Sequence, residues 1–427
     1  MNMDQAIQFN KYLPVAILYF FFNGFLLPHG LLYTTLLSPI FLIWLSKKPI
    51  IKYFWLFFVL IAPFVAAHFL HGVSGANYLK SFLLFLSVYV FSMAAYEFLS
   101  VCGSIRIIYK DILLINALFV ILAIIALKIP SMVNRFWFTN AITTGIVSVK
   151  RLQMLTYEPS YYSFLLAPIA LYYILKQVIL QLPNPKTYLI LVSVPLVLSL
   201  SFGVILGLSL SLILTFLWGF RILFPGNKLL FYLLIASILM LVLLVLVWEF
   251  FPNNLVFVRI NNVFSGRDTS FKGRTFDSFY LAWEIARTRS IWFGVGLGQV
   301  KEIGLHYFIQ FYNNTSFTID QIGIPNAVAD TLATFGIFGV AIRMFLEIYF
   351  FFKTRVYKNY YRLCLFFFVF IYQFTGSYIM NVAEYLVWVM AFHQGIFTEF
   401  DRSYFRSRLT GRHSIQIPIT ESHNLSE

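Results

Sequence analysis

The sequence predicts an all-α polytopic membrane protein with about twelve transmembrane helices, both termini cytoplasmic and a large helical outer loop. Three observations carry this prediction. Hydrophobic residues make up 60% of the 427 and charged ones 11%, more apolar surface than a soluble core requires. Apolar runs recur at about the 20-residue length that crosses hydrocarbon. Lysine and arginine gather in alternate connections between those runs.

Spans are expected near 12–28, 31–46, 53–70, 79–98, 107–127, 160–180, 187–202, 204–220, 229–250, 328–352, 362–378 and 382–398. The first reads as a retained span, since no cleavable signal peptide is evident. Most connections are brief turns marked by Pro, Gly or Asn; those at 128–159 and 251–327 are long. The two cysteines, Cys102 and Cys364, lie beside expected spans and exclude a disulfide framework or a zinc site. Heptads, internal repeats and low-complexity tracts are absent from the sequence, and nothing points to a nucleic-acid partner.

With the N-terminus inside, the inner segments hold Lys11, "SKKPIIK" (46–52), Arg106, Lys110, Lys176, Lys186, Arg221, Lys228, "KTRVYKNYYR" (353–362) and the tail "DRSYFRSRLTGR" (401–412). The short outer loops hold only Lys80. The same alternation puts both long connections outside, where eleven cations face six acids: Glu158, Asp268, Asp277, Glu284, Glu302 and Asp320. Long loops obey the positive-inside rule weakly, so each cation alone can be a solvated charge. As a set they point to an anionic ligand at the outer face. Arginine suits phosphate, because its planar fork binds two oxygens and stays protonated.

In "RLQMLTYEPSYYSF" (151–164), Pro159 fits the first turn of a helix, which sets Glu158 at or just before its N-terminus. Glu158 is then either a helix cap or an interfacial carboxylate, seven residues after Arg151, able to act as a base or orient a sugar hydroxyl. The stretch 264–300 holds two Gly-Arg pairs, an amphipathic segment (276–290) and "GVGLG" (294–298). No strand–turn–helix unit surrounds those glycines, so a tight turn with positive φ is expected rather than a dinucleotide site. Arg267 and Arg274 follow glycines and can approach a ligand closely, or pair with Asp268 or Asp277. In "IPNAVADTLATFGIFGVAIRMFLEIYFF", Gly336 and Gly339 favour close helix packing. Arg343 and Glu347, spaced i,i+4, favour a structural ion pair. His306 in the outer loop is either a base or a solvated side chain.

These pieces, in this order, resemble the O-antigen polymerase/ligase superfamily of bacterial polysaccharide assembly. The resemblance rests on Arg151…Glu158-Pro159 before a mid-chain span, on the Gly-Arg…Ala-Trp…"GVGLG" block in a large outer loop, and on "PNAVADTLATFGIFG" opening the next span. It implies segments 1–127, 160–250 and 328–398 as transmembrane, 128–159 and 251–327 as periplasmic, and 399–427 as a cytoplasmic tail in the bacterial inner membrane. The implied substrate is an oligosaccharide repeat unit on undecaprenyl pyrophosphate. A lipid bilayer surrounds the chain, and a chain-length regulator is a further implied partner. Ligases of the superfamily carry a His-Asn where this chain has Pro325-Asn326; the missing histidine favours a polymerase over a ligase. The expected roles are catalysis for Glu158, Arg151 and Arg274, and pyrophosphate or substrate binding for Arg267, Arg289, His306 and Asn326. No cofactor or metal is expected, because pyrophosphate is already an activated leaving group. A flippase or transporter is the rival from another class, and the chain lacks the internal repeat that such proteins often show.

Overall fold

A computed structural model describes residues 31–102, 105–139, 150–180, 186–223, 269–403 and 405, together with Asn23, Leu27, Val258, Asn262 and Ser265. The span expected near 229–250, most of that near 12–28, and Arg267 lie outside the described residues. The chain is an all-α polytopic membrane protein. Among the described residues, six helices are long and apolar enough to cross a bilayer: Pro49–Leu70, Gly75–Val101, Ile105–Ala126, Pro159–Leu180, Phe202–Gly219 and Ala327–Lys353.

The elements used below are α1 (Ser38–Leu45), α2 (Phe54–Leu70), α3 (Gly75–Val101), α4 (Ile105–Ala126), α5 (Pro130–Phe136), β1 (Trp137–Phe138), β2 (Arg151–Leu152), α6 (Pro159–Leu175), α7 (Lys186–Ser199) and α8 (Phe202–Leu223). They continue with α9 (Thr269–Arg274), α10 (Phe276–Arg287), α11 (Gln299–Tyr312), α12 (Ala327–Lys353), α13 (Tyr360–Tyr372) and α14 (Val382–Phe392).

Helix α6 is the centre of the bundle, with every residue from Pro159 to Tyr173 buried. It packs on α7, α8, α13 and α14, which lets it carry Ser160, Ser163, Tyr161, Tyr162 and Tyr172 away from lipid. Those polar atoms find protein partners: Tyr161 accepts from Asn23 at 2.7 Å, Tyr162 donates to Asn116 at 2.7 Å, and Ser163 donates to Pro159 O at 2.8 Å. An unpaired polar group costs several kcal/mol in hydrocarbon, roughly, which is why they are paired. By contrast α2 turns Trp55, Val59 and Leu70 outward, as a lipid-facing helix does.

The span expected at 31–46 is split into Tyr33–Leu36 and Ser38–Leu45, and that at 382–398 is helical only to Phe392; two further differences matter for the site. The span expected at 362–378 ends as a helix at Tyr372, and the chain from Gln373 to Asn381 is non-helical. Asn381 restarts the helix by accepting from the Ala383 N–H at 3.0 Å. The span expected at 328–352 is continuous in register but broken at Gly336, where φ is 67° and ψ −165°. Irregular backbone at this depth is stable only where protein satisfies its polar groups. Here Gly376 O accepts from Ala327 N and Gln373 O from Val328 N, so the irregular segment after α13 is paired with the first turn of α12.

Contacts sort the connections into two ends. At one, Lys48 pairs with Glu97 at 3.3 Å, Arg106 with Glu399 at 2.8 Å, and Asn359 donates to Asp401 at 2.8 Å. At the other, Ser74 meets Gln299, Asn77 meets Glu302, and His68 meets the carbonyl of Phe293. The described parts of both long connections meet at this second end.

Candidate active site

The site is held by the meeting of two glycine motifs. Gly294, Gly296 and Gly298 all have positive φ, so "GVGLG" is the tight turn its composition predicts. It runs along the break in α12: Val295 N donates to Ala333 O at 2.9 Å and Gly296 N to Thr334 O at 3.0 Å. Beyond the break, Ile337 N donates to Ile291 O at 3.0 Å and Phe338 N to Trp292 O at 3.1 Å. A Cβ at Gly294 would strike the Thr334 carbonyl, and one at Gly336 would strike the backbone of Trp292. The glycines at 294 and 336 therefore serve a backbone-to-backbone approach, beyond the small-residue helix packing expected of Gly336.

Two side chains brace this loop from outside. His68, buried on α2, has Nε2 2.7 Å from Phe293 O and Nδ1 3.0 Å from the Tyr78 hydroxyl. Arg289 donates from Nη1 to Val295 O at 3.0 Å and to Gln299 Oε1 at 3.2 Å. Gln299 in turn accepts from Ser74 N at 2.9 Å. Burial lowers the Arg289 pKa, against the smaller opposing effect of Glu302. The structure thus gives Arg289 a bracing position within the 289–299 turn.

Glu158 and Arg274 come together across 116 residues of sequence: Arg274 Nη2 lies 3.0 Å from Glu158 Oε1. Glu158 occupies the N-cap of α6 with Pro159 at the first helical position, as expected, yet its side chain makes no capping hydrogen bond. It is turned instead to the arginine at the end of α9. Burial tends to discharge Arg274, but Glu158 with Tyr372 and Tyr157 together outweigh it and hold its pKa above the usual guanidinium value. The pair is about one-third exposed, at 31% and 35%, so it is neither sealed nor fully solvated.

Asn326 fixes where Arg274 sits. It caps α12 by accepting from Ala329 N at 2.9 Å, while its amide donates to Arg274 O at 2.9 Å and Phe374 O at 2.6 Å. This one buried side chain ties α9, α12 and the irregular segment after α13. Asp330, one turn into α12, accepts from Ile379 N at 3.0 Å and fixes the same segment from the other side.

The result is a cavity of about 70 Å³ lined by Tyr157, Glu158, Ser160, Tyr161, Phe164, Arg274, Pro325, Tyr372, Ser377, Tyr378 and Asn381. That is room for a few waters or one phosphate-sized group, not a sugar chain. Tyr157 and Tyr378 touch through their hydroxyls at 3.2 Å at its mouth. Burial raises the pKa of the Tyr378 phenol, which therefore acts as a neutral hydrogen-bonding group.

Of the expected site residues, the fold brings Glu158, Arg274 and Asn326 together. Arg151 lies on β2, which pairs with β1, and its Nε donates to Ser199 O at 3.1 Å. It does not line the cavity. His306 is exposed on α11 beside Tyr307 and does not line it either. The Arg343–Glu347 pair forms as expected at 3.2 Å, and it is enlarged by Glu384 and Gln373, which sequence spacing did not reveal.

Comparison with known families adds an independent finding. Residues 187–344 match the family model described as O-antigen ligase. The match supports the O-antigen polymerase/ligase superfamily for this chain. It spans α7, α8, the described part of the long connection and the broken half of α12, and so includes Arg274, the "GVGLG" turn, Asn326 and Gly336. No curated protein matches the chain. The superfamily points to O-antigen polymerase or ligase activity, and the apolar helices to a multi-pass membrane protein. Members of this superfamily are glycosyltransferase-like enzymes acting on lipid-linked glycans.

Tyr157, Ser377, Tyr378 and Asn381 were not singled out by sequence reasoning, and nor were Asp330 and His68. The available signal was the "TGS…N" interruption at 375–381 inside an expected span, a run of turn formers where a helix should have continued.

Proposed function

We propose that the chain is a polymerase of lipid-linked oligosaccharide repeat units, working at the periplasmic face of the bacterial inner membrane. The observation that carries this reading is the Glu158–Arg274 pair, about one-third exposed, at a phosphate-sized cavity. In the reaction, the anomeric carbon–oxygen bond to undecaprenyl pyrophosphate breaks and its electron pair leaves with the pyrophosphate. The hydroxyl at the non-reducing end of the incoming unit forms the new bond to that carbon and gives up its proton. Arg274 stabilises the charge growing on the leaving group. Glu158 orients the hydroxyl and takes the proton through Oε2, which has no hydrogen-bond partner among the described residues. A fixed cation suffices for such a leaving group, so a metal-independent transfer is the simpler mechanism.

Asn326 acts through Arg274, because all its polar contacts are structural. Tyr157 and Tyr378 offer faces and hydroxyls to the sugar beyond the cavity. Arg151 and Arg289 support the site from the surrounding scaffold. His306, exposed on α11, carries no part of this mechanism, and Arg267 lies outside the described residues.

The second reading, a ligase, is favoured by the description of the matching family. Against it stands Pro325, a cavity-lining residue at the position where ligases of the superfamily carry their histidine. A gel of surface polysaccharide from a deletion strain separates these readings. Loss of polymerase leaves lipid A–core with a single repeat unit and no ladder. Loss of even that unit, with polymer left on its lipid carrier, means a ligase. Repeat units trapped on the cytoplasmic side mean a flippase, and the roles of Glu158 and Arg274 fall.

A further inference from the structure

The larger cavity lies at the opposite end of the bundle. It has a volume of about 820 Å³ and is lined by Lys353, Arg355, Lys358, Arg362, Arg402 and Asp401, with Thr354, Gln394, Gly395 and Ser403. Five cations thus face one carboxylate. Asp401 is already engaged by Asn359 at 2.8 Å, and burial raises its pKa.

The five cations divide by task. Arg362 is buried and builds the wall: it donates to Thr354 O at 2.9 Å, Ala391 O at 2.9 Å and Phe392 O at 3.2 Å. One guanidinium therefore clamps the turn after α12 to the end of α14. Lys353, Arg355 and Lys358 are exposed, and among the described residues neither they nor Arg402 is ion-paired. The Nε of Arg402 is buried without a hydrogen-bond partner among the described residues. Arg355 is held at φ 55°, a left-handed conformation uncommon outside glycine and asparagine.

A topology signal requires only lysines and arginines in a short loop. It does not require a hollow of this size, nor a buried guanidinium to shape it. The cavity is also level with a membrane surface, because Lys353 ends the spanning helix α12 and lies 4.9 Å from the ring of Tyr349. Basic pockets between spanning helices suit phosphate headgroups.

We infer that this cavity binds a phosphate-bearing anion, namely the headgroup of an anionic glycerophospholipid, at the end of the bundle opposite Glu158 and Arg274. Each cation near such a headgroup contributes roughly five-fold in affinity. The double variant Arg355→Gln/Lys358→Gln, both exposed, is therefore expected to lose about twenty-five-fold in phosphatidylglycerol affinity.

The test is native mass spectrometry of the full chain titrated with phosphatidylglycerol or phosphatidylcholine, alongside calorimetry with inorganic pyrophosphate. A matched control, Lys47→Gln/Lys52→Gln, removes two exposed charges at the same end outside the cavity. Preference for phosphatidylglycerol that falls in the cavity variant and survives in the control supports the inference. Pyrophosphate binding lost in the cavity variant, without lipid preference, keeps the phosphate site and makes its ligand soluble. Equal retention of both lipids with no pyrophosphate binding, or equal loss in the control, overturns it.

Discussion

Two arginine–glutamate clusters in this molecule look alike on paper and differ in every physical respect that matters. Around Arg343, the guanidinium meets Glu347, Glu384, Gln373 and Thr331, with exposures of 13%, 7% and 1% for the three charged side chains. Gln373 closes the network by donating to Glu347 at 2.8 Å, and Trp388 adds a bond to Glu384 at 3.3 Å. Around Arg274 there is one carboxylate, both side chains are about one-third exposed, and the pair borders a cavity. The first cluster has its donors committed to protein and joins α12, α13 and α14. The second has capacity left over. Ionic groups inside a membrane protein thus serve structure when buried in a network of protein partners and remain available for chemistry when they border a cavity.

Breaking the buried cluster should have the largest effect. Arg343→Met leaves two buried carboxylates without their cation, and loss of one partner of a buried pair costs about 3–5 kcal/mol. The variant is expected to yield little monodisperse protein in detergent. A wild-type melting curve would show that the network does not hold the helices together.

At the open cluster, folding should survive and activity should not. Glu158→Gln keeps the shape and removes the base, so polymer formation is expected to fall about 10²–10⁴-fold with protein level and melting unchanged. An undiminished polysaccharide ladder would reduce Glu158 to its N-cap position. Arg274→Lys keeps the charge and loses the fork. Polymer formation should drop about 10²–10³-fold, the range for removing one donor to a developing anion. Full chain-length activity in that variant would remove the bidentate phosphate contact from the mechanism.

The smallest effect is expected at His306. It is exposed and outside the cavity, so His306→Ala should leave the ladder at wild-type length and amount. A shortened ladder would mean that α11 reaches the reacting sugars.

Much of the fold was legible because hydrocarbon imposes a one-dimensional rule. A segment must be apolar for about 20 residues and must satisfy its own backbone, and both conditions are visible in the sequence. The spans expected at 53–70, 79–98 and 107–127 accordingly coincide, to within two residues for the first and last, with α2, with the middle of α3 and with α4. The positive φ of "GVGLG" was legible for the same reason, since glycine is the residue that adopts it without strain. Glu158 and Arg274 were both recognisable as candidates from their local motifs.

Their pairing was not legible. Sequence proximity had set Glu158 beside Arg151, seven residues away, whereas the fold sets it 3.0 Å from Arg274 and turns Arg151 toward Ser199. The breaks at Gly336 and at 373–381 were hidden as well, because hydropathy records composition and not which backbone groups find partners. The sequence by itself determined that this chain crosses a membrane many times and carries arginine and carboxylate at its long connections. Only the tertiary structure decided which charges are buried in a network and which face a cavity, because burial and hydrogen-bond partners depend on neighbours brought from distant parts of the chain.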